Sequence, residues 1–280
     1  MLASAIAKAG ANIISNLGYT NKNQKKGACF FSIADLCYMN LILDIGNTFV
    51  KLAVFNNGRL IHDESTKVSN LNEKAEVLCQ RYPRIDWAII ASVVDLNEID
   101  INKLTSLCKV YILGHDSKLP FKNSYSTPKT LGVDRIALVT AAFFLHQQKN
   151  SLVIDAGTCI TYDLITDQGD YLGGAISPGI KMRYRALNNQ TSKLPFLNIE
   201  LPKDLIGNTT ESSIHSGVVN GVCAEIDGVI DQYASRFEDL TVILTGGDSQ
   251  FLSKRLKNTI FAHSNFLLEG LNYLLDYNKR

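Results

Sequence analysis

The sequence predicts a mixed α/β fold built from two similar lobes. Strand and helix signals alternate along the chain, and the pattern that opens the first half (strand, Asp-x-Gly turn, strand, turn, strand) returns in the second. The 280 residues, 46% hydrophobic and 20% charged, suffice to bury a substantial core without staples.

The first lobe opens at 40–44, a short apolar run ended by Gly46. Residues 49–55 give a second strand, which Asn56-Asn57-Gly58 turns into a third over 59–66, because Asn and Gly accept the positive φ of a tight hairpin. A helix at 72–82, a buried strand at 87–93, a helix at 96–107 and a short strand at 110–113 follow. Pro120 and Pro128 punctuate a loop over 118–130, and 134–148 reads as a strong helix. Then Leu152-Val-Ile-Asp155-Ala-Gly157-Thr158 repeats Leu41-Ile-Leu-Asp44-Ile-Gly46-Asn47-Thr48. It is followed by a strand at 159–165, a turn at 167–170 and a third strand at 171–176. A helix at 178–188, a loop holding Pro195 and Pro202, one long helix at 211–237 and a strand at 241–245 come next. Gly246-Gly247 closes that strand, and helices at 250–257 and 266–277 finish the chain. The expected division is an extension at 1–38, poorly ordered or dispensable, and lobes at 39–148 and 149–280.

Charge narrows the partners. A formal net charge of +1 argues against a dedicated binder of the nucleic-acid backbone, and no stretch approaches the roughly 18 apolar residues of a membrane span. The sum hides two parts: four lysines (Lys8, Lys22, Lys25, Lys26) against Asp35 make the leader +3, and the other 24 basic and 26 acidic residues leave −2. The leader's apolar run is broken by Lys8, Gly10 and Asn12, so it does not read as a secretion signal, and Met39 before a buried strand reads as the working start. Six scattered cysteines without a C-x-x-C pair suit reduced thiols in the cytoplasm. The five histidines show no metal-ligand spacing.

The repeated turn has a chemical use. Glycine lets backbone N–H groups approach an anion, a hydroxyl can donate to phosphate oxygens, and the carboxylate can hold a cation or its water shell. One such turn is commonly only a hairpin; two of them, with Lys51 three residues after Thr48, point to a grip on a nucleotide's phosphates.

Five motifs occur in an order that closely resembles type III pantothenate kinases from Met39 to near the C-terminus: Asp44-Ile-Gly-Asn-Thr-Phe-Val-Lys51, Gly132-Val-Asp-Arg135, Asp155-Ala-Gly-Thr-Cys-Ile-Thr161, Gly173-Gly-Ala-Ile-Ser-Pro-Gly179 and Leu244-Thr-Gly-Gly-Asp248. The resemblance implies two ribonuclease-H-like lobes, the actin-like ATPase (ASKHA) superfold of acetate and sugar kinases, Hsp70 and actin. It implies transfer of the ATP γ-phosphoryl group to pantothenate, the first step of coenzyme A synthesis, by a cytoplasmic homodimer whose protomers complete each other's acceptor site. Asp44, Ile45, Gly46, Asn47, Thr48, Phe49, Val50 and Lys51 would form the first ATP motif, with Thr158, Gly246 and Gly247 as further nucleotide contacts. Mg²⁺ would accompany ATP near Asp44, and Asp155 would hold a monovalent cation, K⁺ or NH₄⁺. Asp134 would be the general base, with a helix N-cap as its alternative role. Tyr125, Gly132, Val133, Arg135 and Thr210 would contact pantothenate, with Thr209 as the rival to Thr210. Two alternatives stay open: another small-molecule kinase of the superfold, and a nucleotide-binding regulatory protein without turnover.

Overall fold

A computed structural model describes residues 38–279 except 47–48, 93 and 95–99. The readings for 1–37, Asn47 and Thr48, and the start of the helix expected at 96–107, lie outside the described residues.

Two sheets are joined by a helical layer. The first, ordered β3-β2-β1-β4-β5, contains β1 (Met39–Ile45), β2 (Phe49–Asn56), β3 (Arg59–Lys67), β4 (Ile85–Ser92) and β5 (Lys109–Ile112). Its central strand β1 pairs antiparallel with β2 and parallel with β4, and its Leu41, Ile42 and Leu43 are fully buried because helices or strands cover both faces. The edge strand β3 instead alternates half-buried and exposed residues. Positive φ at Asn57 (49°) and Gly58 (75°) gives the hairpin the turn its sequence calls for. α1 (Leu71–Arg81) buries Leu71, Ala75 and Leu78, and α2 (Ile101–Leu107) is capped by Asp100, whose Oδ1 accepts from Lys103 N–H.

The second sheet is ordered β11-β10-β7-β8-β9-β6, from β6 (Lys122–Asn123), β7 (Ser151–Ala156), β8 (Cys159–Ile165), β9 (Asp170–Pro178), β10 (Thr241–Thr245) and β11 (Phe261–Ala262). The repeat read from sequence is therefore a repeat of structure: β7 and β8 pair antiparallel as β1 and β2 do, and each first strand also has a parallel neighbour. Between the sheets lie α3 (Val133–Leu145) and the terminal helix α8 (Phe266–Asn278), packed on each other. They share one core with Ile42 and Ile89 of the first sheet and Val153 and Ile243 of the second. α3 is apolar almost all round, burying Ile136 to Ala142, as a helix enclosed on several sides must be.

α4 (Ile180–Asn189), α5 (Thr210–His215), α6 (Gly221–Ala234) and α7 (Ser249–Ser253) complete the described elements. The single helix expected at 211–237 is interrupted: Ser216–Asn220 is a π-helical turn, where Ser216 Oγ donates to Leu205 O (2.5 Å) and Asn220 Nδ2 donates to Ser216 Oγ (3.1 Å). The helix expected from 178 begins at Ile180, because Pro178 finishes β9.

Candidate active site

The two repeated turns end the central strands of their sheets. Asp44, half-buried at the end of β1, stands directly across the antiparallel ladder from Lys51, and Gly46 N–H closes the hairpin on Phe49 O (3.0 Å). Ile45 and Val50 are fully buried, so their side chains belong to the sheet core, whereas Phe49 is 57% exposed.

Asp155 ends β7 across from Thr161 on β8 and Thr245 on β10. Backbone crowds this second turn. Gly246 has φ +91°, and a Cβ there would strike Asp155 Oδ1 and Ala156 O; a Cβ on Gly179 would strike Gly157 O and Thr158 O. Asp248 N–H donates to Ala156 O (2.9 Å) and Gly179 N–H to Thr158 O (3.1 Å), so the ends of β9 and β10 are stitched to the turn. Thr158 and Gly247 remain exposed on this rim.

Asp134 projects from the first turn of α3, half-buried, where an acidic group suits the helix dipole. The N-cap is Gly132, not Asp134; Asp134 sits two residues further on, and its Oδ1 accepts from Arg135 N–H (2.8 Å). Electrostatics join the three carboxylates. Burial pushes Asp44 up to about 6, against the pull of Lys51 and with a further push from Asp134. Burial pushes Asp155 up to about 7, with Asp134, Asp44 and Asp163 adding to it and Lys51 opposing. Asp44, Asp134, Asp155 and Lys51 thus lie near enough to act on one another's charge, and negative charge among them is under-compensated. That suits a bound cation. Among the described residues no group of three His, Cys, Asp or Glu side chains is placed to hold a metal ion.

Arg135 follows Asp134 into a buried network. It is 5% exposed, and its Nε (2.8 Å) and Nη2 (2.7 Å) both approach Oδ1 of the fully buried Asp163 on β8. Tyr171 OH donates to the same oxygen (2.7 Å). The Tyr171 ring stacks on Tyr125 (centroids 6.1 Å apart, 17°), and Arg135 Cζ lies 5.5 Å from the Tyr125 centroid. Burial alone would lower the arginine's pKa; Asp163 more than reverses this. Burial raises Asp163, opposed by Arg135 and Tyr171.

Thr210 lies elsewhere. It is exposed at the start of α5 on a cavity of about 1240 Å³ lined by Arg183, Leu187, Leu194, Thr209 and Val218; Asp44, Lys51, Asp134 and Asp155 are not among its lining residues. Thr209 caps α5, its Oγ1 accepting from Ser212 N–H (3.1 Å). The fold therefore gathers Asp44, Lys51, Asp134 and Asp155, attaches Arg135 and Tyr125 beside them, and leaves Thr210 apart.

Residues 40–232 match the family model described as type III pantothenate kinase. The chain belongs to the type III pantothenate kinase family. It is 52% identical over 241 residues to a type III pantothenate kinase of Christiangramia forsetii, covering 86% of this chain and 99% of that one. It is 46% identical over 239 residues to one of Flavobacterium johnsoniae, covering 85% and 98%. Among solved structures it resembles a Baf family protein of Campylobacter jejuni (22% identity, TM-score 0.59, covering 85% and 98%). It also resembles a ROK hexokinase of Thermus thermophilus (12% identity, TM-score 0.50, covering 86% and 100%). These two likenesses carry the ASKHA fold, and that fold is the two-sheet α/β architecture expected of the family.

Sequence reading of this pantothenate kinase missed Asp163 and Tyr171. The available signal was a lone acid inside the mainly apolar strand at 159–165, two residues from Thr161 and so on the same face of the strand.

Proposed function

We infer that this chain transfers the γ-phosphoryl group of ATP to the primary hydroxyl of pantothenate, giving ADP and 4′-phosphopantothenate for coenzyme A synthesis. The observation that carries the reading is the meeting of Asp44, Lys51, Asp134 and Asp155 between two Asp-x-Gly turns, with the cationic Arg135 next to Asp134. Phosphoryl transfer asks a protein mainly for positioning and charge stabilisation, and this cleft supplies both.

Asp134 takes the proton of the acceptor hydroxyl as the O–P bond forms, a role worth roughly 10²–10⁴ in rate. Its bond from Arg135 N–H fixes one carboxylate oxygen, so the group is aimed by its own helix. Lys51, exposed beside Asp44, offers charge to the phosphates, as do the backbone N–H groups of the two turns. Thr158, Gly246 and Gly247 border the nucleotide on the other side. Asp44 would hold Mg²⁺ and Asp155 a monovalent cation, K⁺ or NH₄⁺; when bound, these ions would neutralise phosphate charge. Arg135 and Tyr125 receive the acceptor, with Gly132 and Val133 shaping the wall. Thr210 contributes from a homodimer, in which the protomers complete each other's acceptor sites. The cleft lies between lobes 39–148 and 149–280. The enzyme works in the cytoplasm without nucleic acid or membrane. Among the described residues no helix is long and apolar enough to cross a membrane.

Purified protein given ATP, Mg²⁺, K⁺ and pantothenate should release ADP and form 4′-phosphopantothenate, detected by mass. No product would sink the reading.

A further inference from the structure

A carboxylate with no exposed surface is an expensive thing to place in a strand, and Asp163 is 0% exposed. It belongs to neither Asp-x-Gly turn, although it is near enough to Asp155 to push that carboxyl up, so the grip on phosphates alone does not account for it. Three groups depend on it. Both Arg135 Nε and Nη2 reach Oδ1, Tyr171 OH donates to Oδ1, and the stacked Tyr171 ring supports Tyr125. The last of these contacts required its own concession from β9: Gly173 has φ +96°, and a Cβ there would press on Tyr125 Cδ2 at 3.1 Å. The network therefore runs from a buried acid to Arg135 and Tyr125, the two side chains that the proposed reaction assigns to the acceptor.

The geometry also says which part of Arg135 is left over. Nε and Nη2 form one edge of the planar guanidinium, and that edge is taken by Asp163; the edge formed by Nη1 and Nη2 is turned away from it. Thr161, on the same face of β8, adds a side-chain hydrogen bond to Asp163, and Arg135 Nη2 is held by its ion pair with Asp163 Oδ1 (2.7 Å). A planar fork held by one carboxylate on one edge is prepared for a second on the other.

Resting on the proposed reaction, we propose that Asp163 is a positioning residue that holds Arg135 and, through Tyr171, Tyr125 in place for the carboxylate of the acceptor, and so makes the enzyme prefer an anionic acceptor to its uncharged analogue. Asp163 touches neither substrate.

The test compares pantothenate with pantothenol, which has a primary alcohol where pantothenate has the carboxylate. In Asp163→Asn, kcat/KM should fall more for pantothenate than for pantothenol, by about 10–100-fold, the worth of one charge-assisted hydrogen bond. The KM for pantothenate should carry that loss and the KM for ATP should not. Tyr171→Phe removes one hydroxyl and keeps the ring, and should move the same ratio by a few-fold; it answers for the case in which Asp163→Asn does not fold. An unchanged pantothenate-to-pantothenol ratio in the folded variant, or equal losses for both acceptors and ATP, would overturn the proposal while leaving the reaction itself standing. A wild-type enzyme that turns over neither acceptor would overturn both.

Discussion

The two Asp-x-Gly turns share a sequence and differ in what surrounds them. At the first, Asp44 has a lysine directly across the ladder. At the second, Asp155 faces threonines on both neighbouring strands, Gly246 crowds its carboxylate, and Gly179 crowds the carbonyls of Gly157 and Thr158 in the same turn. The carboxylate with its own cross-strand cation is pushed up to about 6, the one without to about 7. One turn is built around charge, the other around shape. A duplicated motif has thus become two devices: the first carries part of its counter-charge, and the second provides a tight cradle that needs a cation from outside.

Asp134 feeds repulsion into both turns, and its removal should have the largest effect. Asp134→Asn should lower kcat by about 10²–10⁴ while ATP still binds. Because Gly132 holds the N-cap position, the thermal midpoint should stay near wild type. Near wild-type turnover would reduce Asp134 to a helix-start residue.

Glycine substitutions separate charge from shape. Gly246→Ala forces a Cβ into Asp155 Oδ1 and Ala156 O at a positive φ, and overpacking plus backbone strain should cost about 2–4 kcal/mol. At the first turn, a Cβ from Gly46→Ala meets, among the described residues, Phe49 O at 3.2 Å, and the change should be milder. Thermal melts of the two variants decide the matter: equal losses would mean that the second turn is no more crowded than the first.

How much of this was legible depends on how local each signal is. The hairpins at 56–58 and 167–170, the apolar central strands and α3 follow from turn chemistry and period, and all of them formed within a few residues of expectation. The break at Ser216–Asn220 was not legible, because it comes from a tether to Leu205 eleven residues earlier in the chain. The strands Lys122–Asn123 and Phe261–Ala262 are two residues long, too short for any period, and exist only because a partner strand is adjacent. Within the site, Asp44, Asp134 and Asp155 were visible because each sits in a motif. Asp163 was not, since one acid in an apolar strand does not reveal which arginine it will meet.

The smallest predicted effect asks whether the under-compensated cleft is a cation site. Asp44 and Asp155 have folded values near 6 and 7 against 3.8 for an ordinary aspartate, so the folded state binds more protons than the unfolded state between those limits. Stability should then fall as pH rises from about 4 through 7, and the cost is complete once both groups are charged. A cation that binds the charged pair offsets that cost only where the pair is charged. In the absence of ATP, Mg²⁺ with K⁺ should therefore raise the thermal midpoint by a few degrees at pH 8, roughly 2–4 °C for each kcal/mol at this chain size, and by much less at pH 5. Sodium at equal ionic strength serves as the control. Asp155→Asn should remove the part specific to K⁺, and Asp44→Asn the part specific to Mg²⁺. An equal rise at both pH values would show that the ions act on the surface in general, and the contrast between a turn that carries its own charge and one that waits for it would fail.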